Sequence, residues 1–581
     1  MKKALSLLLC FVMLAATLAS CVDLENEDKG ATIPIYLSGE VRTLDPAYAH
    51  TDDAAIKVLG LIFEGLTKVE SNGKIVGAAA ESWTYKSDPK DDYYMLEFKL
   101  KETAWSDGRF VSSDDFVYAW KRIMEPEFQS EAAAMLYDIK NAKDVKLGDC
   151  SIDDLGVYAA DTYVLQVQFE RDIDVDRFLR YCASPMLVPL REDSVNRVEN
   201  WSTNTTTIVT NGPFTVRNFV IGSTIVLERN QYYRRDVERD SVKKYVTPYR
   251  LQIKFDTDAS AELARYNEDK VMYIGELALA DRAEYAKKVK VQDSMYTHTY
   301  FFNNTRAPFD NADVRRGLSL AIDRDALAEI IVFAEAATGM VNGDGVFEDS
   351  HKKSFASVSG ELIASNANIQ EAKKLTANAS VKSFTLTIRA NELDRAVAEY
   401  CRDAWKELGF DVKIEELEAE KYMTESEYYV YDDAFSQKYS TGDYDVIAID
   451  WLAASNDASS LLYPFAKQFS GTAKNLVAGE FEDKPHITGY NNPEYDAKID
   501  EAFNAADEAS RLALMHEAEK ILVEDMPVMP LFTYQNYYMN QSDISGLKVV
   551  AWYGYVDFSK VKFKNFEDFE IEAITVGADE A

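Results

Sequence analysis

The sequence predicts an α/β fold, and three observations carry that expectation. Over one short stretch the apolar residues change period. They alternate at Phe384, Leu386 and Ile388, recur at helical spacing at Val397, Cys401, Ala404 and Leu408 until Gly409, and alternate again at Val412 and Ile414, which spells a strand–helix–strand unit. A second stretch, Tyr94 to Ile123, reads strand, turn, helix. The 581 residues, 47% hydrophobic and 12% aromatic, suffice to bury more than one core, and no internal repeat or low-complexity block interrupts residues 31 to 563. Two or three lobes joined by short crossings are expected.

The chain opens with MKKALSLLLCFVMLAATLASC, in which Lys2 and Lys3 precede an apolar stretch from Ala4 to Ala19. This is an export signal, too short for the roughly 20 residues that span a bilayer. Leu18-Ala19-Ser20-Cys21 resembles the lipobox of bacterial lipoproteins, which implies acylation of Cys21 as the new first residue; the alternative is a plain secretory signal cut near Ala19. Val22 to Gly30 is polar and charged, suited to a solvated tether. With 98 Asp and Glu against 63 Lys and Arg the net charge is −35, and loss of residues 1–20 removes two lysines and no acid. So acidic a surface excludes a nucleic-acid binder and is repelled by anionic headgroups, so membrane attachment rests on the lipid alone.

Tyr94, Leu96, Phe98 and Leu100 alternate as a half-buried strand before the Trp105-Ser106-Asp107-Gly108 turn. Ser112 and Ser113 then cap a helix bearing Phe116, Trp120 and Ile123, with Asp114 and Asp115 in its first turn where the dipole favours them. Ala312 to Ile331 reads as one amphipathic helix, with Val314, Leu318, Ala321 and Ile322 opposite Arg315, Arg316 and Asp323. A long helical stretch from Glu494 carries Ile499, Phe503, Leu514, Ala518, Ile521 and Leu522, and ends before the two prolines of Met526 to Pro530. The acidic end, Asn565 to Ala581, is expected to be partly disordered.

No catalytic or metal motif is found, and no cofactor or metal is expected. Besides Cys10 and Cys21 only Cys150, Cys182 and Cys401 occur, too few and too scattered for a disulfide framework or zinc site; at most one bridge could form. The five histidines are dispersed, and after His516-Glu517 a lysine, Lys520, occupies the place of a zinc protease's second histidine. Gly317 to Ala321 lacks the second glycine of a nucleophile elbow, and Asn342-Gly343-Asp344-Gly345 is too short for a calcium loop. Adjacent acids such as Asp91-Asp92, Asp114-Asp115 and Asp432-Asp433 arise readily among 98 acidic residues. Thirty-four tyrosines offer wide contact area with a polar tip, which suits a versatile binding cleft.

Ordered short motifs carry a family resemblance. Leu44-Asp45-Pro46, Phe63-Glu64-Gly65-Leu66, Ala80-Glu81-Ser82-Trp83, Trp105 to Gly108 and Asp114 to Arg122 are followed by Asn211-Gly212-Pro213-Phe214, Val226 to Asn230, Phe302-Asn303-Asn304 and Ala307-Pro308-Phe309. Val314-Arg315-Arg316, Ala321 to Arg324 and Tyr444-Asp445-Val446 extend the series. Together they resemble the oligopeptide-binding family of substrate-binding proteins of bacterial ABC transporters. The resemblance implies a two-lobed periplasmic-binding-protein type II fold with an extra domain inserted in the first lobe. Residues 31–72, 206–298 and 532–581 would form the first lobe, 73–205 the inserted domain and 299–531 the second, after a signal at 1–20 and a tether at 21–30.

It also implies a monomeric, non-enzymatic receptor, lipid-anchored on the outer face of the cytoplasmic membrane, that takes peptides in an interlobe cleft and hands them to the permease. The matching cleft positions are His50, Thr51, Asp52, Tyr137, Asn211, Gly212, Asn303, Arg306, Trp451, Asn456 and Tyr534, with Arg306 suited to a peptide carboxylate. One departure is informative. Where relatives that grip a free amine carry an aspartate, this chain has Ala454, and where some carry an arginine it has Ala448. Asp450 or Asp457 could replace the missing amine partner. Longer peptides held along their backbone, a signalling peptide or a non-peptide solute become the natural cargo; a secreted hydrolase is the remote alternative.

Overall fold

Two thirteen-residue strands, Lys290–Phe302 and Val528–Asn540, lie antiparallel at the centre of the molecule. The computed structural model describes residues 30–571 apart from 52, 129, 234–238, 256–257, 344–345, 348, 350–352, 425–428, 471–485, 552 and 570. Residues 1–29, with the expected export signal, Cys21 and the expected tether up to residue 29, and likewise Asp52 and the end from residue 572, thus lie outside the described residues. Among the described residues no helix is long and apolar enough to cross a membrane.

The central pair joins two half-sheets into one of eleven strands. On one side Val446–Leu452, Ser383–Arg389 and Asp411–Leu417 follow Lys290–Phe302. On the other Tyr273–Ile274, Thr32–Tyr36, Arg250–Lys254, Thr224–Arg229 and Phe214–Val220 follow Val528–Asn540. Thr32–Tyr36 is parallel to Arg250–Lys254 and Tyr273–Ile274, and its TIPIY sequence is buried from Ile33 onward, as a strand covered on both faces requires. Ser383–Arg389 is parallel to Asp411–Leu417, with Phe384 beside Val412 and Leu386 beside Ile414. Helix Glu392–Lys406 connects them, so the strand–helix–strand unit forms as its periodicity predicts. In the central pair the register breaks between Asp293 and Thr297, leaving Ser294 to Tyr296 outside the regular ladder.

A separate four-stranded antiparallel sheet, in the order Ala80–Asp88, Tyr93–Leu100, Val164–Gln168, Val157–Asp161, contains the expected strand. Gly108 closes the following turn at φ +89°, its N–H on the Trp105 carbonyl at 2.8 Å. Helix Ser113–Met124 starts where Asp115 accepts the Ser112 N–H at 2.8 Å and the Trp105 indole N–H at 3.0 Å, tying strand, turn and helix together.

Three expectations need correction. Ala312 to Ile331 forms two helices, Ala312–Leu320 and Arg324–Ile331, because Asp323 caps the second through the Ala326 N–H. Arg315 is also not on a polar face. It is buried, with its guanidinium on the carbonyl oxygens of Phe309, Asp525 and Met526 at the end of helix Glu508–Asp525. Likewise the stretch from Glu494 divides into Pro493–Phe503 and Glu508–Asp525, the second capped by Asp507. It stops at Met526, which takes a left-handed conformation at φ +47° before the prolines. Of the acidic end, Phe566–Asp568 forms a short turn and Phe569 packs on Phe563 at 4.7 Å.

Cys150, Cys182 and Cys401 are all free thiols. Cys182 and Cys401 are buried, and burial pushes the Cys401 thiol up to about 12. A thiol reagent titrated into the folded protein is expected to label Cys150 quickly and the other two only on unfolding, measured by mass mapping. Fast labelling of Cys401 would contradict this packing.

Candidate functional site

A cavity of about 580 Å³ opens beyond the carboxyl ends of the parallel strands, where ligands gather in open α/β sheets. The chain after Thr32–Tyr36 supplies Ser38 and Arg42, and the chain after Tyr273–Ile274 supplies Gly275 to Leu279. Facing them are Arg389, the start of helix Glu392–Lys406 and Ala448 to Asp450. Tyr296 and Tyr534 to Tyr537, from the two central strands, also line the cavity. Smaller cavities of about 230 and 330 Å³ lie elsewhere.

The floor is a cross-strand cluster. His298 lies directly opposite Asp450 on one side and Phe532 on the other, so all three share a face of the sheet together with Tyr534, two residues on. His298 Nδ1 is 2.7 Å from Asp450 Oδ1, and the Tyr534 hydroxyl donates to the same oxygen at 2.8 Å. The imidazole is fully buried and stacks on Phe532, with ring centroids 5.0 Å apart, and its Nε2 has no hydrogen-bond partner. Asp394, from the first turn of helix Glu392–Lys406, completes the group: one nitrogen of His298 and one oxygen of each carboxylate lie within 4.8 Å of one another.

The charges divide unequally. Burial works against the His298 imidazolium, but the Asp450 charge and hydrogen bond, with Asp394 beyond, raise its pKa. Burial likewise works against the Asp450 carboxylate, and the His298 contact outweighs it, holding that group below the usual carboxylate range. Asp394 is pushed up to about 6, first by burial and then by the Asp450 charge. Polar atoms without a partner line the cavity at Ser38 Oγ and Asn536 Nδ2.

Two ionic groups link residues far apart in the sequence. At the rim Arg42 reaches Asp433 at 3.3 Å across 391 residues of sequence, and Asp433 also holds Arg389 at 3.2 Å. Farther away Asp457 takes both guanidinium nitrogens of Arg511, at 2.7 and 3.1 Å. Arg511 bonds Glu508 at 2.6 Å, and Glu508 is 3.3 Å from Arg177, which bonds Asp138 at 3.1 Å.

Of the residues singled out from sequence, Asp450 and Tyr534 come together at the cavity floor. Trp451 points the other way from the same strand and is buried between Phe301 and Phe465, with ring centroids at 5.7 and 5.4 Å. Asp457 is committed to Arg511. Asn456 is buried with both amide atoms unpartnered. Tyr137 packs edge-on to Phe469 at 5.3 Å. The Asn211 amide exchanges two hydrogen bonds with the Glu64 backbone, and Gly212 lies so close to Ile62 that an added Cβ would fall 2.5 Å from its carbonyl carbon. Asn303 bonds the carbonyl oxygens of Gly442 and Tyr444, and the exposed Arg306 pairs with Asp443 and Asp445. His50 and Thr51 belong to the 3₁₀ turn Pro46–Thr51. The sequence reading missed His298, Asp394, Arg42 and Asp433, which no local motif marks.

Comparison with known proteins gives a consistent result. The family model for bacterial extracellular solute-binding proteins, family 5 Middle, matches residues 74–473. The chain is 24% identical over 592 residues to the oligopeptide-binding protein OppA of Bacillus subtilis, covering 97% of this chain and 100% of that one. It is 28% identical over 515 residues to the periplasmic oligopeptide-binding protein OppA of Salmonella typhimurium, covering 86% of each. The structure of Listeria monocytogenes OppA bound to peptide superposes with a TM-score of 0.76 at 22% identity, over 92% of this chain and 99% of that one.

Proposed function

The chain belongs to family 5 of the bacterial extracellular solute-binding proteins and has their two-lobed type II fold, and from that premise we propose that it captures oligopeptides for an ABC importer. The observation that carries the reading is the 580 Å³ cavity at the strand ends, in whose lining Ser38 Oγ and Asn536 Nδ2 have no protein partner. An extended peptide offers a donor and an acceptor per residue and can satisfy such groups with little regard for side chains.

In this reading residues 31–72, 206–298 and 532–581 form one lobe, 73–205 the inserted domain and 299–531 the other lobe. The rim bridge of Arg42, Asp433 and Arg389 is then a contact between lobes that stabilises the closed form a permease recognises. Cys21 carries the lipid, residues 22–30 are the tether, and the monomeric receptor works on the outer face of the cytoplasmic membrane. Asp450 and Tyr534 contact cargo; the remaining matched positions, His50, Thr51 and Asp52 among them, are secondary contacts or supports. Asp394 and Asp450 are shifted in opposite directions, as in an acid–base pair. The relatives are named as binding proteins, which supports binding over chemistry.

The test is thermal melting with a panel of unrelated peptides. Each binder is expected to raise the melting temperature by mass action, through about 2.7 kcal/mol of added stability at a hundredfold excess over Kd. If no peptide shifts the melt and one discrete non-peptide compound is released on denaturing the natively purified protein, the fold serves another solute.

A further inference from the structure

We propose that His298, Asp394 and Asp450 form a binding site for one first-row divalent transition-metal ion, such as Zn²⁺, in the floor of the cleft. An imidazole nitrogen with two carboxylate oxygens is a donor set such ions favour. First-row ions hold these donors at roughly 2.0–2.2 Å, which sets the donors about 3–3.5 Å apart. The 2.7 Å His298 Nδ1–Asp450 separation and the 4.8 Å outer limit of the cluster bracket that spacing.

Rigid elements carry the three donors: His298 and Asp450 on adjacent paired strands, Asp394 in the first turn of a fifteen-residue helix. The imidazole donor is Nδ1, which already faces Asp450 Oδ1 at 2.7 Å and the Tyr534 hydroxyl at 3.2 Å, so the ion would take the place of the proton held between Nδ1 and the carboxylate. The neighbouring cations are otherwise engaged, Arg389 by Asp433 and Arg282 by the carbonyl oxygens of Leu277 and Ile331. The Asp450 side chain keeps 47% of its surface accessible, so the coordination shell stays open to the cavity for a donor from the cargo.

The test is calorimetric titration of Zn²⁺ into the chelator-stripped full chain with no peptide present, so its outcome is independent of the peptide reading, which the melting panel tests in chelator. One ion per chain is expected. Asp394→Asn and Asp450→Asn, each preserving shape, should weaken binding at least about tenfold, whereas Glu371→Gln on the surface should not. Co²⁺ in place of Zn²⁺ should give visible absorption bands that Asp394→Asn abolishes. Absence of binding up to about 1 mM, or equal affinity in all variants, overturns the site. So does lost affinity for amine-bearing peptides in Asp394→Asn without any metal binding, which would assign the cluster to an ammonium group.

Discussion

Asp457→Ala is expected to cost about 3–5 kcal/mol of stability, the penalty for removing one partner of a buried ion pair. Asp457 and Arg511 are both nine-tenths buried, and the carboxylate also accepts the Ser459 N–H at 2.9 Å. Without it Arg511 keeps Glu508 as its carboxylate partner, with the Met515 sulfur at 3.5 Å, and Arg177 loses part of its counter-charge. The pH dependence has a definite sign. Burial works against the charged carboxylate, yet Arg511, its hydrogen bonds and Arg177 hold the pKa far below the ordinary range. The other ionisable neighbours are Glu508, Asp138, Tyr181 and Tyr463. A folded pKa below the unfolded value near 3.9 contributes stability above that pH and loses it as the pH falls toward the folded value. The native protein should therefore melt progressively earlier below about pH 4, with a shallower acid slope in Asp457→Ala. Parallel slopes would show that Asp457 is not held as the ionised partner.

Trp451→Ala is expected to cost about 3–5 kcal/mol through the cavity it leaves. The indole is 5% exposed and fills the space between Phe301 and Phe465, while its neighbour Asp450 faces the cleft. The effect should appear in thermal melting without ligand, and Trp451→Phe should recover a large part of it. Unchanged melting combined with weakened peptide binding would place the indole against the cargo instead.

What the sequence makes legible divides by distance along the chain. The Phe384 to Ile414 unit and the capped helix after Gly108 were legible because each is fixed by residues within a few turns of one another. The helix breaks at Asp323 and Asp507 were legible in principle, as aspartates able to cap, but the apolar stripe runs across both and masked them. The floor of the cleft was not legible. His298 and Asp450 stand 152 residues apart, and only strand pairing makes them neighbours. Asp450 entered through family resemblance, but its partners His298 and Asp394 had no such marker. Trp451 shows the same limit at close range: the motif locates the segment, whereas the strand's alternation decides which side chain lines the cavity.

The interrupted ladder at Ser294 to Tyr296 lies beside the tyrosines that floor the cavity. If the halves swing about that irregular point, atoms near it have a short lever arm and barely shift, whereas atoms at the rim sweep a wide arc. His298, Asp450 and Tyr534 would then present nearly one geometry throughout the swing, and Arg42 would meet Asp433 only at its end. Capture and retention would then fall to different residues: floor substitutions would act chiefly on how fast cargo is taken up, and rim substitutions on how long it stays.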